Sequence, residues 1–276
     1  MEINAVDLNN VKVKRVIICC NGFINLKKHA LAVFKEYFDQ VGHDENHEVK
    51  LINLYDPDDK KTYNRKKQIN VLAEQVKQYA EQNYIIYLLG YSYTCGICAR
   101  VATMFPKYIR KLIFISPTLY LLKTKLLMSY LKMAAKYIKI RCKHPKKSKK
   151  TVEKAHIKGI IPIAYNVACS IVKNRKYFKK VRCRVFVGKS KDDAFCIGKT
   201  LWKITHRLEQ NQVTIKSYQS GGHTMIMHLE LGKECFDDIL QFAYHIVNPQ
   251  FDKEENEEKI ATLSFERKEL EEFNKD

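Results

Sequence analysis

The sequence predicts an α/β protein: a doubly wound, mainly parallel sheet with a helical cap inserted into it. Three observations carry this reading. Short apolar, β-branched runs alternate with stretches of helical periodicity, the pattern of a parallel sheet covered on both faces. The runs end at turn signals such as Asn21-Gly22, Asp56-Pro57, Gly90 and Ser116-Pro117. The alternation breaks once, over residues 119–180, and then resumes. A chain of 276 residues is long enough for one such domain with an insertion and buries its core without staples. The division expected is a core of residues 1–118 and 181–250, a basic helical cap at 119–180, and an acidic C-terminal helix or tail at 251–276.

Taken in order, Lys14–Cys20 is a buried strand. Lys27 to Val41 has helical spacing through Leu31, Phe34, Tyr37 and Phe38. Glu48–Leu54 is a second strand, and Asn64–Gln82 a helix with Ile69, Leu72, Val76 and Tyr79 on one face. Tyr84–Leu89 is a third strand and Tyr93–Phe105 a helix stopped by Pro106. Lys111–Ile115 is a fourth strand. Beyond the insertion come the strand Cys183–Val187, ending at Gly188, the helix Ile197–Leu208, the strand Val213–Tyr218 and the helix His228–Val247.

Charge is concentrated. The whole chain carries a net +19, and the segment Lys123–Arg184 alone holds 20 Lys or Arg against one acid, Glu153. Residues 251–276 hold 10 acids and 5 bases. No apolar run approaches the ~20 residues of a spanning helix, and the N-terminus lacks the apolar core of a secretory signal. Nine scattered cysteines, an odd number in apolar settings, fit reduced core thiols. The expected location is cytoplasmic, with peripheral contact at a membrane surface as an addition the basic segment suggests.

The stretch from Tyr84 to Gly96, with Gly90-Tyr91-Ser92-Tyr93-Thr94 at its centre, is a strand, a tight turn and a helix. It resembles the nucleophile elbow, G-x-S-x-G, of the α/β-hydrolase superfamily. A serine on so strained a turn needs small neighbours two residues before and after; Gly90 meets that demand, and Thr94 departs from it. The resemblance implies Ser92 as nucleophile, followed in chain order by an acid and a histidine. The loop after Val185-Phe186-Val187-Gly188 offers Asp192 as the acid, one residue later than the family spacing, with Asp193 as the alternative. His223, after Gly221-Gly222, occupies the place of the family's base. Cys20-Asn21-Gly22-Phe23 is similar to the family's H-G-x turn, with Asn21 in place of His. It implies an oxyanion hole made by the amides of Phe23 and Tyr93. An ordinary turn serine, solvated aspartates and a structural histidine are the plainer readings of each residue alone; the order of all four favours the family.

The resemblance therefore implies a serine hydrolase of the carboxylesterase or lipase type, acting on a small-molecule ester through Ser92, His223 and Asp192. A thioesterase or peptidase would use the same residues. A non-catalytic binding protein of this fold is the rival, favoured by Thr94 and Asn21. No cofactor or metal is expected: Cys95-Gly96-Ile97-Cys98 lies in the first turns of a helix and has no second C-x-x-C to complete a site. Within the insertion, Leu119–Ile140 has the pattern of a basic amphipathic helix, Arg141–Lys150 is a polybasic loop and Lys158–Lys173 a second cap helix. The cap either exposes a solvated basic face or meets an anionic membrane surface. No nucleic-acid motif accompanies the charge, and no nucleic-acid partner is expected.

Overall fold

The computed structural model describes residues 13–22, 29–41, 45–55, 64–119, 165–196, 198–206, 208 and 213–244. Within them run β1 (Arg15–Cys20), α1 (Ala32–Gln40), β2 (His47–Ile52), α2 (Arg65–Glu81), β3 (Ile85–Tyr91), α3 (Thr94–Met104) and β4 (Ile109–Ile115). After the insertion come α4 (165–174), a 3-10 helix (Arg175–Lys180), β5 (Arg184–Ser190), α5 (Gly198–Thr205), β6 (Val213–Tyr218), a second 3-10 helix (Gly222–Met227) and α6 (Leu229–Tyr244). The strands form one sheet in the order β2-β1-β3-β4-β5-β6. Every neighbouring pair is parallel.

The apolar runs have no polar alternation because both faces of the sheet are covered. Val16, Ile18 and Cys20 of β1 face a core shared with α2, α3, α4 and α5, through residues such as Leu72, Ile97, Ile171 and Leu201. Ile17 and Cys19 face the opposite core, built with α1 and α6 around Phe34, Phe38 and Phe236. Each such side chain, fully buried, contributes roughly 1.5–3 kcal/mol of transfer free energy.

Two strands outrun their expected ends. β3 continues through Gly90 to Tyr91, and β5 through Gly188 to Ser190. These glycines lie inside their strands and answer close neighbours, on α3 for Gly90 and on β4 for Gly188, rather than ending the sheet. A Cβ on Gly90 would stand 2.7 Å from the Cys95 Cα, and one on Gly188 would stand 3.0 Å from Ile115 Cδ1. The longer β5 moves the start of its loop by three residues, which matters for the site.

Parallel strands deliver the loops after β1, β3, β4, β5 and β6 to one edge. β1 lies between β2 and β3, so the chain winds away from it in both directions. Ligand crevices in open sheets form at such a switch point. The loops bearing Asn21 and Ser92 flank it. Of the insertion, the described part packs on β4 and α3. Phe178 meets Phe114 with ring centroids 5.1 Å apart, and Asn174 is fully buried against Gly96. The basic helix and polybasic loop expected between 120 and 150, the first part of the second cap helix and the acidic 251–276 segment lie outside the described residues. No helix among the described residues is long and apolar enough to cross a membrane.

Candidate active site

Ser92 follows β3 at the carboxyl edge of the sheet and has a left-handed backbone, φ 62°. For a non-glycine residue this conformation is unfavourable and persists only where neighbours impose it. The Ser92 N–H donates to the Ile115 carbonyl at 2.9 Å, and its carbonyl accepts from the Thr118 and Cys95 amides, each at 3.3 Å. Gly90 gives α3 room to approach. Thr94, the departure from the small-residue pattern, is completely buried and contributes a fastening of its own. Its hydroxyl accepts from the Tyr91 N–H at 3.0 Å and donates to the Tyr91 carbonyl at 2.8 Å, with the Cys20 carbonyl at 3.3 Å. The hydroxyl thus bridges the elbow to β1, a bond glycine could not make.

His223 stands on the 3-10 turn that follows Gly221, φ 114°. Its Nε2 is 2.9 Å from Ser92 Oγ. Its Nδ1 is 3.0 and 3.1 Å from the two carboxylate oxygens of Asp193. A carboxylate only accepts, so Nδ1 carries the proton and Nε2 is left to accept from the serine hydroxyl. Asp193 is almost fully buried and also accepts from the Phe195 and Cys196 amides at 2.8 and 3.1 Å. Burial acts to raise its carboxyl, but the hydrogen bond and charge of His223, with the Phe195 amide, hold it below the ordinary value. Phe195 and Tyr91 flank the imidazole, with ring centroids at 4.8 and 5.5 Å.

The carboxylate facing the imidazole is that of Asp193, not the expected Asp192. β5 pairs with β6 as far as Ser190 and Tyr218, so the turn occupies Lys191 and Asp192 and the chain re-enters the core only at residue 193. Asp192 stays exposed. It accepts from the Ser190 hydroxyl and from the Gly222 amide at 2.8 Å, and these bonds lower its pKa. Of the expected oxyanion donors, Tyr93 begins the turn into α3, whereas Phe23 lies outside the described residues. Asn21 braces its loop: its amide donates to Asn53 Oδ1 at 3.3 Å and its oxygen accepts from the Ala30 N–H at 3.1 Å.

Two neighbours escape the sequence. Thr118 Oγ1 is 3.3 Å from Ser92 Oγ, and Tyr91 donates its phenol proton to the His223 carbonyl at 2.5 Å. Neither has a local motif; Tyr91 is 132 residues from its partner. The C-x-x-C thiols, Cys95 and Cys98, are free and fully buried beneath the elbow.

No protein-family model matches the chain, and no curated protein matches it significantly. Solved structures do. The metagenome-derived lipolytic enzymes LipS and LipT are represented by a chain superposing with a TM-score of 0.62 at 11% identity, over 85% of this chain and 95% of that one. A lipase-esterase related protein from Clostridium acetobutylicum gives 0.59 at 16% identity, over 83% and 94%. The peroxisomal alpha-beta-hydrolase Lpx1 from Saccharomyces cerevisiae gives 0.59 at 13% identity, over 95% and 86%. The chain therefore has the α/β-hydrolase fold. At these identities the likeness defines the architecture, and the chemistry has to be argued from the site.

Proposed function

We propose that the chain is a serine hydrolase of small-molecule carboxylic esters, of the carboxylesterase or lipase type, with Ser92 as nucleophile, His223 as general base and Asp193 as the acid that orients it. The observation that carries the reading is the relay of hydrogen-bond distances from Asp193 through His223 to Ser92 on a strained turn. In this mechanism Ser92 Oγ attacks the ester carbonyl while its proton passes to His223 Nε2. The imidazolium is stabilised by the Asp193 carboxylate and returns the proton to the leaving alkoxide. Water, deprotonated by the same nitrogen, then releases the acid and restores Ser92. The oxyanion is assigned to the amides of Tyr93 and Phe23, with the N-terminal dipole of α3 reinforcing them. Structural neighbours described as lipolytic enzymes and esterases favour an ester as substrate.

The test is labelling by a fluorophosphonate together with hydrolysis of p-nitrophenyl esters of increasing chain length. Labelling and turnover are expected in the native chain and abolished by Ser92→Ala. Undiminished activity in that variant removes the assignment.

A further inference from the structure

The mounting of His223 differs from those of Ser92 and Asp193. Its ring rides on a 3-10 turn of six residues that begins beside two left-handed glycines, Gly221 and Gly222 at φ 114° and 56°. Such turns have poor hydrogen-bond geometry, and glycine leaves the backbone free. Two side chains grip the segment, one at the Gly222 amide and one at the His223 carbonyl.

Tyr91 holds the carbonyl of His223 itself through its phenol at 2.5 Å, and its ring lies against the imidazole at an interplanar angle of 29°. Tyr91 is immobilised in turn. Both of its backbone polar groups are bonded to Thr94 Oγ1. Its ring also fills the space where a Cβ on Gly22 would come within 2.6 Å. Asp192 accepts the N–H of Gly222 at 2.8 Å and is anchored to the hydroxyl of Ser190, a buried residue at the end of β5. The two bonds bracket the Gly222–His223 pair.

We propose that Tyr91 and Asp192 are positioning residues that clamp the Gly222–His223 segment and so set the distance from Nε2 to Ser92 Oγ. The adjacent acids then divide the work: Asp193 faces the ring, and Asp192 holds the backbone that carries it. Neither Tyr91 nor Asp192 contacts a reacting atom. The kinetic consequence rests on the hydrolase reading; the structural consequence does not.

The test uses the full chain and three variants, Tyr91→Phe, Asp192→Ala and Asp192→Asn. A displacement of about 1 Å at a catalytic group costs up to ~10²-fold in rate. Tyr91→Phe and Asp192→Ala should each lower kcat for a p-nitrophenyl ester ~10–100-fold with KM nearly unchanged. Asp192→Asn should restore most of the loss, because its amide oxygen still accepts the Gly222 N–H. A readout independent of turnover is the low-field proton resonance of the His223 Nδ1–H that faces Asp193. It should be sharp in the native chain and broadened in Tyr91→Phe and Asp192→Ala. Native kcat in both of those variants, or Asp192→Asn as impaired as Asp192→Ala, overturns the clamp. If the native chain neither labels nor turns over, the hydrolase reading fails by itself. The resonance then decides the clamp alone: broadening supports it, and an unchanged peak overturns it.

Discussion

The two ends of the sheet solve the same problem in different ways. At both, strands stop and backbone groups need partners. At the amino end the solutions are local or use long cations. α2 closes on Asn83, left-handed at φ 62°. The Asn83 amide donates to the Ala80 carbonyl and the Tyr84 amide to that of Tyr79, each at 3.0 Å, while the Tyr79 and Tyr84 rings meet at 5.1 Å. This is a complete Schellman closure with asparagine, a residue suited to the conformation, at its pivot. Lys111, at the start of β4, donates to the Phe242 and Ala243 carbonyls at 2.6 and 3.1 Å, where the negative end of α6 favours a cation. Burial, then Arg184 and Arg15, push its pKa down to about 8.

At the carboxyl end the left-handed residues include Ser92 and Ser116, which have no such suitability. Buried polar side chains gather there: Asn21, Thr94, Thr118, Ser190 and Asp193. Beside bonds within their own turns, four of them also reach a distant segment: Asn21 to Asn53, Thr94 to the Cys20 carbonyl, Thr118 to Ser92 and Asp193 to His223. Strain and buried polarity held by tertiary contacts are what a preorganised reaction site requires, and what an ordinary helix end avoids.

That contrast can be broken at several points. The largest effect belongs to Asp193→Asn, which should lower kcat by about 10⁴ because the imidazole loses the group that fixes its tautomer. Asp192→Asn should cost far less, and the reverse order in steady-state kinetics would exchange the roles of the two acids. The same carboxylate sets an acid limit. Its folded pKa lies below the ordinary 3.8. Its stabilising contribution is therefore full above the ordinary value and disappears as pH falls through the lower folded one. Chemical denaturation across that window should show a shallower acid loss in Asp193→Asn than in the native chain.

A smaller effect is expected from Gly90→Ala. Its Cβ would press on the backbone of Cys95, so stability should fall by about 1–3 kcal/mol and fluorophosphonate labelling should slow. Thermal unfolding that matches the native chain would mean α3 yields without cost. The smallest change is Asn83→Gly at the opposite end. It should alter stability by less than ~1 kcal/mol, in the stabilising direction, and leave activity untouched. A loss of activity there would show that the two ends are not independent.

Much of the fold is legible from periodicity, because an apolar run flanked by turn residues reports burial through its own neighbours. Strand ends are less legible. Gly90 and Gly188 look like stops, yet both lie inside strands, since their role depends on Cys95 and Ile115 packing against them. The turn bearing Ser92 and the glycine pair before His223 stand out because a strained backbone restricts which residues may surround it. The choice between Asp192 and Asp193 is not legible, because two identical neighbours differ only in where β5 releases the chain.

The sequence by itself determined the alternation of strands and helices, the elbow around Ser92 and the loop that carries His223, all of them properties of consecutive residues. Only the tertiary structure decided which aspartate meets the imidazole, that Thr94 fastens the elbow to β1, and that Tyr91 reaches a carbonyl 132 residues away. The reason is physical: side-chain spacing encodes what is buried, whereas a hydrogen bond between distant loops depends on strand register, and register is settled only when the whole sheet packs.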